Sequence, residues 1–67
     1  MSAVLENLGK EIKSVKELAM DAGSDGKALL HTVKNAELLL SKARFAEAKS
    51  DLRVRDDLVE QIRNILG

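Results

Sequence analysis

Apolar residues recur at alternating steps of three and four from Leu5 through Leu8, Ile12, Val15 and Ala19 to Ala22. That spacing gathers them on one face of a helix. Val4 and Leu18 flank this seam, while Glu6, Lys10, Lys13, Lys16 and Glu17 fall mostly on its far side. The pattern predicts a first helix over about residues 3–22. Gly9 weakens it by up to ~1 kcal/mol relative to alanine, which predicts fraying in its first two turns.

Punctuation follows at Gly23-Ser24-Asp25-Gly26. A glycine just after the last seam residue suits a left-handed helix end, and Ser24 or Asp25 can cap the next helix. A connection this short makes the two flanking helices antiparallel neighbours.

From Lys27 to Leu66 neither glycine nor proline interrupts the chain. The direct reading is a second helix over about residues 27–66, roughly 60 Å long at about 1.5 Å per residue and straight or gently bent. A break is the alternative, either at Lys49-Ser50-Asp51 or at Asp56-Asp57, where Asp57 followed by Glu60 has the form of a capping box. Such a break near residues 49–57 gives a three-helix bundle.

Two apolar stripes share this second segment. Leu29, Val33, Ala36, Leu40 and Ala43 form one, assigned to packing against the first helix. Leu38, Phe45, Leu52, Val59 and Leu66 recur at intervals of seven, with Ala48 and Ile62 on the same face. At about 100° per residue the second stripe starts about half a turn from the first, so one short helix cannot cover both. The expected cover is a second copy of the chain, because monomers seldom leave an apolar patch of this kind open. Leu38, Phe45, Ala48, Leu52, Val59, Ile62 and Leu66 are therefore the expected partner or oligomer interface.

Composition agrees with helix throughout. Proline is absent, and Ala, Leu, Glu, Lys and Arg dominate. The fold class expected is all-α: an antiparallel hairpin in one domain over residues 1–67, pairing into an oligomeric helical bundle. A core this small is marginal without support. Cysteine is absent, so disulfides and cysteine-based zinc sites are excluded, and oligomerisation is the support that remains.

Charge adds little by its total, since 11 basic residues balance 11 acidic ones. Residues 1–26 carry Lys10, Lys13 and Lys16 against Glu6, Glu11, Glu17, Asp21 and Asp25, a net of −2 that leaves +2 for the rest. No run approaches the roughly 20 apolar residues of a membrane span. The first ten residues have no basic segment followed by an apolar block, so a cleaved signal peptide is not expected; the expected location is cytoplasmic, with export by a route that needs no cleaved signal as the alternative.

The ingredients of catalysis are thin. His31 stands on the side opposite Leu29, Val33 and Leu40, and the positions one turn away from it are Lys27, Ala28, Lys34 and Asn35, none a metal ligand. Asp56 and Asp57 diverge on a helix, while Asp21 and Asp25 flank a turn where aspartate serves capping. Gly23-Ser24-Asp25-Gly26-Lys27 precedes a helix but follows no strand, so it lacks the setting of a phosphate-binding loop. No cofactor, metal or enzymatic activity is expected.

Lys42, Arg44, Lys49, Arg53 and Arg55 make residues 42–55 locally basic, a candidate nucleic-acid contact. Offsets such as Asp51 to Arg55 give the competing reading of an ordinary salt-bridged helix face. The function expected is a small helical protein–protein interaction module, acting through self-association and presentation of an apolar helix face as an adaptor, regulator or chaperone. Its alternatives are a subunit or chaperone of a filament or secretion assembly, and a small nucleic-acid-binding regulator.

Overall fold

The computed structural model describes residues 3–67 and is all-helical over them. Helix α1 spans Ala3–Asp21, a short 3-10 turn spans Gly23–Gly26, α2 spans Lys27–Ala48 and α3 spans Leu52–Leu66. The uninterrupted second helix is therefore corrected to two helices, with the break at Lys49-Ser50-Asp51.

The break is made without glycine. Ser50 adopts a left-handed conformation at φ 62°. This turns the Ser50 N–H onto the Glu47 carbonyl and the Asp51 N–H onto the Ala46 carbonyl, both at 2.9 Å. Together the two bonds satisfy carbonyls that the end of α2 would otherwise leave open. Asp51 then caps α3, its Oδ1 accepting from the Val54 N–H at 3.4 Å. Asp57 lies inside α3, so the capping box expected there starts no helix. Because a left-handed serine carries a steric cost that glycine escapes, Ser50→Gly is expected to raise stability by about 0.5–1 kcal/mol. Urea denaturation midpoints check this; an unchanged or lower midpoint would show that Ser50 is held without strain.

The first connection differs in detail from its sequence reading. Gly23 does take the left-handed conformation, at φ +63°. Ser24 and Asp25 do not cap α2; its N-cap is Gly26, with no side-chain bond, and the 3-10 turn carries the chain across instead. Gly26 is buried against α1, its Cα facing the Ala19 carbonyl so closely that a methyl group there would overlap backbone.

In the middle of the molecule lies α2, with α1 and α3 packed mainly on it and touching each other little. Gly9 of α1 lies near Leu40 and Arg44, Lys16 near Glu37, and Ala19 on Gly26, so later positions in α1 meet earlier ones in α2. The core joins Leu5, Leu8 and Ile12 to Val33, Ala36, Leu40 and Ala43, and these to Val59 and Ile62. Alanines at Ala36, Ala43 and Ala46 keep the buried sides of α2 low, which lets a helix approach on each flank. The assembly is a rod of 40 × 17 × 17 Å.

Most of the first stripe of α2 is buried as expected, with Leu29 the exception at 38% exposed. On α1 the seam is buried at Leu5, Leu8, Ile12 and Ala19, half-buried at Val15, and exposed at Ala22.

Candidate interaction surface

The break at residues 49–51 divides the sevenfold stripe. It turns α3 back onto α2 and carries Val59 and Ile62 into the core, where Ile62 is fully buried. Leu66 follows half-way, packed against the same cluster. Leu38, Phe45, Ala48 and Leu52 stay outside, with Phe45 65% exposed and Leu38 58%. Thus the seven residues expected to form one interface occupy two environments.

Leu38 and Phe45 point away from the core because they lie about half a turn from Ala36 and Leu40 on α2. Beside Phe45 the outer surface dips into a groove between α2 and α3. Ala46 is buried in it, Phe45 and Ser41 line it from α2, Val54 and Leu58 from α3, and Lys42, Lys49 and Asp51 complete the lining. The Lys49 ammonium stands 4.6 Å from the centre of the Phe45 ring, a cation–π distance. Val54 and Leu58 escaped the sequence reading because it followed a period of seven through a break. The run Val54, Leu58, Gln61, Ile65, spaced four, three and four, was the signal available.

The five basic residues of the 42–55 segment do not form one surface. Arg55 is drawn into the α2–α3 corner, where its Nη1 donates to Glu47 Oε2 at 2.8 Å and its Nη2 and Nε donate to Asp56 Oδ1 at 2.7 and 3.1 Å. These bonds, first that to Glu47 and then that to Asp56, raise the guanidinium pKa further above its ordinary value. The pairing of Arg55 thus runs across the break, not back to Asp51 along one helix. Arg44 sits on the α1 side near Gly9, Arg53 is exposed on α3, and Lys42 and Lys49 share the outer face with Phe45.

His31 is exposed beside Lys27 and Lys34. Among the described residues no three histidine, aspartate or glutamate side chains converge on a point where a metal ion could be held. No helix among them is long and apolar enough to cross a membrane.

No known protein family, curated protein or solved structure matches the chain. The reading of this surface accordingly rests on its own chemistry. Its groups are aliphatic and aromatic contact area edged by ammonium groups, which suit binding through desolvation and charge.

Proposed function

We propose that the protein is a small helical interaction module that works by presenting the outer face of α2 and the adjoining α2–α3 corner to a protein partner. One observation carries this reading: with the core closed by all three helices, Phe45 on α2 stands 65% exposed across one groove from Val54 on α3, 43% exposed, and Leu38, 58% exposed, lies on the same side of α2 as Phe45. Large apolar side chains grouped in this way on a small protein mark an interaction site more often than isolated ones do. The α1–α2 pair serves as an antiparallel platform for that face. With Val59 and Ile62 inside the core, the part of the expected oligomer interface left for a second copy is Leu38, Phe45, Ala48 and Leu52.

Photo-crosslinking in the native host tests the proposal. A photoreactive phenylalanine analogue at Ser41, on the groove, is expected to capture a discrete partner, and the same analogue at exposed Asn64 is not. Adding Phe45→Asp should abolish the crosslink while thermal stability changes by no more than about 0.5 kcal/mol, since the side chain is largely in water. A crosslinked species of twice the chain mass would identify a second copy as the occupant. Equal labelling from Ser41 and Asn64, or a crosslink that survives Phe45→Asp, would remove this face as the site.

A further inference from the structure

We propose that the occupant of the α2–α3 groove is an acidic amphipathic helix of another protein. The inference rests on the reading above, that this face binds protein, and adds the chemistry of the partner.

Only two carboxylates belong to α2, and both are turned toward its neighbours. Glu37 lies 3.9 Å from the Lys16 ammonium of α1, and Glu47 lies 2.8 Å from the Arg55 guanidinium of α3. What the helix shows on its outer side is Lys27, His31, Lys34, Lys42 and Lys49, every one exposed, with Leu38 and Phe45 between them. At about 100° per residue these seven positions fall within roughly 80° of one another. Glu47 interrupts the stripe in the chain but is turned to the α3 side, whereas Glu37 shares a depression with Lys27, His31 and Lys34, so the stretch lined by lysines without an α2 carboxylate is the groove end, at Lys42 and Lys49.

The α3 wall of the groove adds no free carboxylate of its own. Val54 and Leu58 form it, and the one acid in the lining, Asp51, is occupied in capping α3 through the Val54 N–H. Apolar floor and walls with lysines along the α2 edge call for a ligand with an apolar stripe bordered by negative charge.

A helix fits the shape. The groove lies between two packed helices and is concave, with Ala46 buried in it, and a helix about 10–12 Å across docks into such a groove through residues one turn apart. A bilayer would meet a flat or convex surface more readily. Phosphates of a nucleic acid would engage the lysines but leave Leu38, Val54 and Leu58 without apolar contact. A second copy is disfavoured by charge: two-fold pairing brings the same patch, with its Lys42 and Lys49, to both sides of the contact, and the positive charge on each side opposes association.

Two synthetic helical peptides of about 18 residues test the assignment. Both carry leucines at i, i+3, i+4 and i+7; one has glutamates on its polar face and its twin has lysines. Titrated into the full chain, the glutamate peptide is expected to bind at least about tenfold more tightly than the twin, with affinity falling as salt is raised. The double variant Lys42→Glu/Lys49→Glu, checked for unchanged helicity, should reverse that order.

Equal affinity for the twins, binding of neither, or an order unmoved by the charge reversal would overturn the acidic-helix assignment. In each case a Phe45-dependent crosslink from Ser41 would still uphold the face itself as a protein-binding site. Phosphatidylcholine vesicles containing phosphatidylserine and a single-stranded oligonucleotide serve as competitors. Tighter binding of either than of the glutamate peptide, lost on Lys42→Glu/Lys49→Glu, would also overturn it and assign the stripe to that ligand.

Discussion

Ile62→Ala is expected to lower the stability of this protein by about 3–4 kcal/mol, within the range for removing a buried isoleucine side chain down to alanine. Ile62 is fully buried in the cluster that joins the three helices, so its loss leaves a cavity bounded on several sides. Domains of this size are held by roughly 3–10 kcal/mol in all, so the variant should be largely unfolded at temperatures where the parent is folded. The result also separates two architectures. In a three-helix chain the loss is independent of protein concentration, because the contacts of Ile62 lie within one molecule. Had α2 and α3 formed one continuous helix with Ile62 at a dimer interface, the unfolding midpoints of parent and variant would both rise with protein concentration. Urea melts at two concentrations at least about thirtyfold apart make the distinction. A concentration-dependent shift, or a loss below about 1 kcal/mol, would contradict the packing described for α3.

The second large effect is expected at a glycine whose dihedral angles are ordinary. Gly26 has φ −88° and ψ −1°, a conformation open to any residue. A Cβ there would nevertheless overlap the Ala19 carbonyl oxygen and sit 2.8 Å from its carbonyl carbon and 3.1 Å from its Cα. Backbone cannot rotate out of the way as a flexible side chain does, so α1 and α2 must separate where they cross. Gly26→Ala should cost about 3 kcal/mol, the upper end of what overpacking usually brings. Gly23→Ala should cost about 1–2 kcal/mol, because Gly23 is left-handed but has open space around it. Turn chemistry alone ranks the two glycines the other way. Thermal melts of both variants decide it, and a greater loss at Gly23 would show that the approach of Ala19 to Gly26 is not as close as described.

Both effects bear on function through the same platform. Phe45 and Leu38 are presented outward only while α1 and α3 hold the opposite side of α2. Loss of Ile62 releases α3 and with it the Val54 and Leu58 wall of the groove. A weakened Gly26 crossing releases α1, which covers the inner side of α2. Partner binding should therefore fall in both variants in step with the folded fraction, whereas Phe45→Asp should remove binding with the fold intact.

Local chemistry determined a good deal of this protein directly from its sequence. Steps of three and four placed α1 and its core residues Leu5, Leu8, Ile12 and Ala19, and the same spacing placed Val33, Ala36, Leu40 and Ala43 on the inner side of α2. Gly23 was legible as a left-handed helix end, because that conformation is costly to every other residue type and glycine advertises it. The exposure of His31, Phe45 and Leu38 followed from their angular distance to the buried stripe.

Tertiary structure decided between the continuous second helix and the break that the sequence offered at Lys49-Ser50-Asp51. Ser50 has no intrinsic preference strong enough to stop a helix. Its left-handed turn is held because folding α3 back buries Val59 and Ile62, satisfies the carbonyls of Ala46 and Glu47, and sets Arg55 between Glu47 and Asp56. The apolar part of that gain comes from Val59 and Ile62, about two to three helical turns beyond the break, and the spacing of apolar positions near Ser50 does not show it. The same fold removed Val59 and Ile62 from the expected interface, drew Arg55 out of the basic segment, and turned Glu47 toward α3. A linear pattern shows which residues can share a helix face, but which charges remain on that face depends on the neighbours packed beside it.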